Sequence, residues 1–579
     1  MANETYSVPS LAEDPALGLS HRAKMEVLFA VMLGLFLGAL DQTIVGPALP
    51  TIITQLNGNE YYVWAITIYL LTSTISVPFW GKLSDLYGRK PMYMLGIVIF
   101  LVGSALSGLS QNMGMLILFR GIQGIGAGAL FPVALAIIGD LFTPQERGKY
   151  QGLFGAVFGI AFVVGPLVGG FLTEHFGWHW IFYVNIPIGI VALFVIQRLL
   201  PTVKNASATR NFDLLGGAIF TVSMVFLLVG LTNKQFGDWA DPTVGGFIAI
   251  GIIGTLLFIL AESRAKEPIV PLHLWRSRTY SASMVSTFFA AFAFFGAIVF
   301  LPRWFQFVEG FSPTDSGLAA LPLMVGLIAS SIVSGLIVSR TGRYKWLVVI
   351  SIAIMGAGTL FMTQLNQSTP VPIVWLWMFI VGIGVGPTFS VFTIIIQNAV
   401  PFRELGVATS NLTFFRQIGG TIALAFVGTI FGTTFIEKLP SQLTAAGVPE
   451  QIATGFGQAG ALNLNQLTGT GEGFDLGATI LATAPAQVRP LLEPLISNIV
   501  EGIHGAFSLA TAQTFWLGVV GSIIAVAAAV AIKEIPLRAS NAEPAVGESP
   551  AFSPAAVRAP TPVAGTAQAT VKSPSPTTD

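Results

Sequence analysis

Hydrophobic and polar positions alternate along this chain in long blocks. Fourteen runs of about 20 predominantly apolar residues, the length one helix needs to cross a bilayer, have cores near 27–49, 61–80, 92–110, 114–137, 150–172, 180–200, 213–232, 243–262, 281–303, 316–338, 346–364, 371–396, 405–435 and 510–532. Two stretches break the pattern. Residues 437–505, rich in Gly, Ala, Gln and Leu, read as a long external loop with short amphipathic helices such as VRPLLEPLISNIVEGI; loops of that length are functional or disordered. From about Ala539 the chain is rich in Pro, Ala, Ser and Thr and reads as a disordered tail. The polar start, of mixed charge, predicts no secretory signal ahead of the first run at Val27.

An internal repeat organises the spans. GKLSDLYGRK (81–90) is echoed by GLIVSRTGRYK (335–345), and GIGAGALFPVALAII (124–138) by GIGVGPTFSVFTIII (382–396), which match at eight of fifteen positions. The offsets are 254 and 258 residues. Spans 1–6 and 9–14 are therefore two parallel-related halves, with spans 7 and 8 inserted between them. The expected segments are a tail 1–26, a six-helix half 27–200, the inserted pair with its loops 201–280, a second half 281–538 and a terminal tail 539–579. Two such halves form a transporter architecture that rocks around a site near the bilayer midplane.

Composition agrees with the block pattern: 53% of the 579 residues are hydrophobic, 10% are charged, and the mean hydropathy is +0.75. A soluble domain carries about 25% charged residues. Net charge is zero, so the position of the charges carries the information. With the N-terminus inside, 22 Lys and Arg fall on the cytoplasmic side and 4 on the other. That bias predicts both termini in the cytoplasm. No basic stripe suited to nucleic acid is present, and the absence of Cys excludes disulfides and thiolate metal sites. There is no GxxxxGK[ST], HExxH or GxSxG, so neither ATP hydrolysis nor a zincin or serine-hydrolase site is expected. GIGAG lies in an apolar helix with no strand before it and does not read as a dinucleotide loop. No enzymatic activity, cofactor or metal is expected.

Several motifs carry chemistry. In GKLSDLYGRK, Gly81 and Gly88 permit a sharp connection, while Asp85, Arg89 and Lys90 are placed to pair with a helix terminus or with each other. In the fifth run, GLFGAVFGIAFVVGPLVGG, the small residues allow close helix approach and Pro166 permits bending. The loop segment resembles the GxLaDrxGrK motif of the major facilitator superfamily. LDQTIVGPALP, RGIQGIGAGAL, WHWIFYVNIPIG, LPRWFQFVEGFSPTDSGLAALP and NLTFFRQIGG are similar to signatures of its fourteen-helix drug:proton antiporter branch. The resemblance covers roughly residues 25–436 and the last span. It implies the major facilitator fold, all-α with fourteen spans, and a loop whose Asp85 and Arg89 latch the outward-open state. The competing reading is that Lys82, Arg89 and Lys90 only set topology. Gly152, Gly165, Pro166, Gly169 and Gly170 resemble the family's antiporter motif, with Ala161 where that motif has Gly; plain helix packing is the alternative. In the second loop copy Ser339 replaces the Asp, so a latch there is expected to be weaker.

Three charges lie inside spans. At 1.5 Å per residue, Asp41 sits roughly 21 Å above the inner end of helix 1, and Arg120 and Arg416 fall at similar depth in helices 4 and 13. The three are expected to meet in one cavity. Such charges face an interior, pair, and mark ion or proton pathways. Burial disfavours a carboxylate and a neighbouring guanidinium favours it, so withdrawing the Arg loads a proton and returning it releases one. Asp41 is either that proton carrier or a structural group, in a static pair or hydrogen-bonded to Gln42 and Thr43 so as to fix helix 1. Arg416 is its counter-ion, an attraction for anionic or zwitterionic substrate groups, or structural. The Arg120 counterpart in the second half is Met378, so shared packing does not require the Arg.

Gln42, Gln123, Phe131, Phe389 and Gln397 are the expected cavity residues, and acids are missing from the middles of helices 9, 10 and 12. The resemblance and the charges together imply a proton-coupled exporter of amphipathic small molecules in a bacterial inner membrane, surrounded by lipid and expected to be a monomer. A lipid or glycolipid exporter of the same fold and a non-transporting receptor are the competing readings.

Overall fold

The computed structural model describes residues 19–56, 62–201, 212–234, 237–458, 476–484 and 488–537. The proposed tail 539–579 and most of the tail 1–26 lie outside these residues. The apolar runs are helices because a chain in lipid must satisfy its own backbone hydrogen bonds. In order they are α1 (His21–Gln55), α2 (Tyr62–Tyr87), α3 (Arg89–Gly108), α4 (Met113–Leu141), α5 (Pro144–His175), α6 (Asn185–Leu199), α7 (Leu214–Asn233), α8 (Phe247–Glu262), α9 (Arg278–Phe307), α10 (Leu321–Thr341), α11 (Lys345–Met362), α12 (Val371–Ala399), α13 (Leu405–Ala445) and α14 (Ile496–Ala531). A turn of helix, Trp180–Tyr183, precedes α6, and another, Pro313–Ala319, precedes α10. Among the described residues, thirteen helices are long and apolar enough to cross a membrane. The expected second span is α2, 26 residues long and packed along α4 and α13.

Local sequence sets several boundaries. The side chains of Ser20, Asn112, Asp213 and Ser277 accept backbone N–H groups at the starts of α1, α4, α7 and α9. Thr143 and Glu146 form a reciprocal capping box on α5. Gly342, at φ 68°, closes α10 in the left-handed conformation. Arg147 is buried and turns its guanidinium back to donate to the carbonyls of Gly139 and Phe142, free acceptors at the end of α4.

The repeat is visible as packing. In the first half α4 packs on α2 and α3, and α1 on α5 and α6. In the second half α12 packs on α10 and α11, and α9 on α13 and α14, each element shifted by eight helices. The halves meet along two corresponding seams, α2 with α13 and α5 with α10. The inserted pair α7/α8 lies over the first seam. There the Phe220 ring is 5.8 Å from Phe79 of α2, 5.5 Å from Phe414 of α13 and 5.1 Å from Phe258 of α8.

The segment expected as a loop over 437–505 is helical at both ends. α13 continues through Ala445 and α14 already begins at Ile496. The reason is burial at helical spacing: Leu439 and Leu443 on one side, and Ile499 and Ile503 on the other, all join the core. At 41 residues α13 is about 60 Å long, twice the roughly 30 Å of bilayer hydrocarbon. Between the two lie short helices, Glu450–Gln458, Leu476–Thr483 and Arg489–Leu492; residues 459–475 and 485–487 are outside the described set.

Candidate functional site

Asp41 is fully buried, and its carboxylate is surrounded on three sides. Arg120 of α4 donates Nη1–H to Oδ2 at 2.5 Å. Gln123, one turn along α4, donates to Oδ1 at 2.8 Å and accepts from Arg120 at 3.0 Å. Asn185, the first residue of α6, also donates to Oδ1, at 3.1 Å. Two aromatic rings flank the guanidinium, Tyr69 at 4.2 Å and Phe182 at 5.7 Å from ring centre to Cζ. A desolvated ion pair persists only with this kind of support, since burial costs several kcal/mol per charge and breaking the pair costs about 3–5 kcal/mol.

Arg416 does not join them. Its Nη2 donates to the Thr388 carbonyl at 2.9 Å and its guanidinium lies 4.1 Å from the Phe389 ring, with no ion pair among the described residues. The three charges expected in one cavity are thus a pair and a separate cation.

A narrow recess of about 20 Å³ adjoins the pair, lined by Gln42, Tyr69, Ser73, Phe131 and Gln417 among others. Tyr69 is the partition, with one side on the recess and the other on Arg120. From the recess, Phe131 leads through Phe158 (6.1 Å) to Phe389 (5.9 Å), which carries Arg416. The other two expected cavity residues lie elsewhere. Gln123 is consumed by the ion pair. Gln397 is buried between the halves, donating to the Leu135 carbonyl at 3.0 Å and accepting from Gln151 at 2.9 Å.

That contact belongs to a closure on the face bearing the loop motif. Asp85 accepts from the backbone N–H groups of Gly406 (3.0 Å) and Val407 (2.8 Å) at the start of α13. Unpaired N–H groups and the helix dipole favour an anion there. Arg89 pairs with Asp85 at 2.5 Å and Asp140 at 3.0 Å. Gly81 is required by proximity, as a Cβ there would stand 2.0 Å from Ser410 Oγ. Gly88 has φ 97°. Lys90 donates to the Gln197 carbonyl at 2.7 Å near the end of α6, and Lys82 pairs with Glu267 at 2.7 Å, beyond α8.

α5 runs between the halves. Cβ atoms at Gly152 and Gly155 would meet Ile332 and Ser331 of α10 at 2.8 and 2.7 Å. Those at Gly165 and Gly169 would meet Thr43 and Ile44 of α1 at 2.0 and 2.3 Å, beside Asp41. Thr43 also donates to the Ala161 carbonyl at 2.9 Å. Pro166 faces Gly317 in the turn before α10, and Gly170 faces open space.

Asn185, Ser104, Tyr69, Asp140 and Gln151 were not singled out from the sequence. The clearest available signal was Asn185, a lone amide in the apolar stretch WIFYVNIPIG.

The fold and the paired charges define a multi-pass membrane protein built as a two-half transporter. The sequence pattern of the Major Facilitator Superfamily matches residues 31–424, and the chain belongs to that family. It is 35% identical over 521 residues to the multidrug transporter protein MdtP of Bacillus subtilis (strain 168), covering 89% of this chain and 94% of the relative. It is 36% identical over 417 residues to multidrug resistance protein 3 of the same organism, covering 71% and 80%. Among solved structures, the proton:xylose symporter XylE superposes with a TM-score of 0.54 at 14% identity, over 76% of this chain and 94% of that one, a likeness of fold alone.

Proposed function

We propose that this protein is a proton-coupled antiporter that exports amphipathic small molecules by alternating access. The observation that carries it is the buried Asp41–Arg120 pair, separated from an aromatic and amide-lined recess only by Tyr69. An Asp that loses its guanidinium in a buried site takes up a proton, and one that regains it gives the proton back. A substrate that enters the recess as the halves part presses on Tyr69 and thus on Arg120, so occupancy and protonation compete. The names of the B. subtilis relatives support a multidrug cargo.

The Asp85 latch and the Gln151–Gln397 contact close one face, which the Lys and Arg bias makes cytoplasmic, with both termini inside and the chain in the cell inner membrane. Arg416, without an acidic partner among the described residues, is the group that meets an anionic or zwitterionic part of a substrate. The transporter works as a monomer in lipid.

The test is flux in proteoliposomes with an imposed pH gradient. Wild type drives a cationic dye or an acidic amphiphile against its gradient when the inside-out proton gradient is present, and Asp41→Asn does not. Flux indifferent to the gradient, or undiminished in Asp41→Asn, refutes proton coupling.

A further inference from the structure

The orientation of the Asn185 amide follows from its neighbours. Ser104 Oγ spends its proton on the Phe182 carbonyl at 2.8 Å, so it offers Asn185 only a lone pair. A carboxylate likewise only accepts. The amide NH₂ therefore points at both, with one N–H to Asp41 Oδ1 and one to Ser104 Oγ, each at 3.1 Å. This leaves Asn185 Oδ1 fully buried with no hydrogen-bond partner among the described residues. An unused buried acceptor is costly and asks for a donor. In this state Gln123 has no such spare group, because its Oε1 accepts from Arg120; once Arg120 leaves it becomes the competing acceptor, and a wild-type acid band in Asn185→Leu would assign the role to Gln123 instead.

We propose that Asn185 is the positioning residue for the protonated form of Asp41. The inference rests on the proton-coupling reading above. When Arg120 moves off the carboxylate and a proton arrives from water at Asp41 Oδ2, the new O–H donates to Asn185 Oδ1. Asn185 Nδ2 keeps donating to Asp41 Oδ1, and an acid–amide ring closes with two hydrogen bonds. Only the terminal torsions of the two side chains turn, and these are broad. No heavy-atom bond changes, Arg120 stays charged, and the second N–H stays on Ser104.

Other groups leave this exchange to the pair. Around Asp41, α4 presents the charge of Arg120 and α2 the phenol of Tyr69. α3 and α6 present the uncharged Ser104 and Asn185, and α5 contributes only Ala161 and Gly165 around Thr43. The amide thus gives the acid form a partner as specific as the one Arg120 gives the anion.

Infrared difference spectroscopy of the full-length protein in lipid, titrated from high to low pH, reads this directly. The carboxylic C=O band of Asp41 is assigned by its loss in Asp41→Asn. In Asn185→Leu that band moves to higher wavenumber, because the acid loses its amide partner. Asn185→Ser, a milder change that guards against misfolding of the leucine variant, moves it part of the way, since a hydroxyl supplies one bond. An Asp41 band at the wild-type position in a folded variant overturns the role of Asn185 while leaving proton coupling intact. The absence of any Asp41 acid band in wild type overturns both, so the two failures are distinguishable.

Discussion

At the scale of single residues, the two intramembrane arginines are opposites. Arg120 is held by a carboxylate, an amide and two rings, whereas Arg416 has one carbonyl and one ring. Arg120→Gln leaves Asp41 buried and uncompensated and is expected to cost about 3–5 kcal/mol. Arg416→Gln removes a desolvated charge at the loss of one hydrogen bond, so its effect on stability stays within about 1.5 kcal/mol. Thermal unfolding of both variants in the same detergent checks this, and equal losses would show that Arg416 also has an acidic partner. The sequence placed all three charges at similar depth, but depth is one coordinate. Which of them touch depends on how each helix is rotated and tilted against its neighbours, which a list of spans does not contain.

At the scale of elements, α5 uses different glycine faces for different partners. Gly148, Gly152, Gly155 and Gly159 meet α10, while Gly165 and Gly169 meet α1. The six residues from Gly159 to Gly165 turn the helix by about 240° at 100° per residue, which exchanges one neighbour for the other. Gly165→Ala is expected to overpack against Thr43, lowering stability by about 1–3 kcal/mol and slowing flux. Gly170→Ala, with nothing within 4 Å of its Cβ, is expected to be neutral or to stabilise by up to about 1 kcal/mol. Unfolding midpoints and transport rates measured side by side decide it, and a Gly170→Ala as damaging as Gly165→Ala sinks the packing account. The motif spacing grouped these glycines as one feature, and the structure divides them by contact.

At the scale of the whole molecule, the chain beyond the last span fastens the second half. Residues 532–537 run as an extended strap, in which Lys533 accepts at its carbonyl from Thr279 at 3.0 Å and Ile535 from Asn398 at 3.3 Å. The strap exchanges two hydrogen bonds with Tyr344: its hydroxyl donates to the Ile535 carbonyl at 3.1 Å and accepts from the Ile535 N–H at 2.6 Å. Burial raises the Tyr344 phenol above its ordinary value, so it remains the neutral donor this exchange requires. Glu534 accepts from the Tyr344 N–H at 3.0 Å, at the start of α11. A carboxylate thus reaches the second loop copy from outside it, at Tyr344 and not at Ser339, whose hydroxyl donates to the Leu336 carbonyl. Tyr344→Phe is expected to destabilise the protein by about 1–2 kcal/mol and to raise amide exchange at Ile535. Unchanged protection of that amide would show that the strap is held by other contacts.

Features that depend on local and periodic properties were legible along the chain. Apolar length set the spans, repeated motifs set the two halves and the inserted pair, and the Asp85, Arg89 and Lys90 loop was recognisable from spacing. Which side chains share a volume was settled by packing. It joined Asp41 to Arg120 and Asn185 rather than to Arg416, moved Gln397 from the expected cavity to the contact between the halves, and extended α13 and α14 into the expected loop. The physical reason is that hydrogen bonds and ion pairs act over about 3 Å. Contacts that short depend on helix rotation and close approach, which arise only when all the helices pack together.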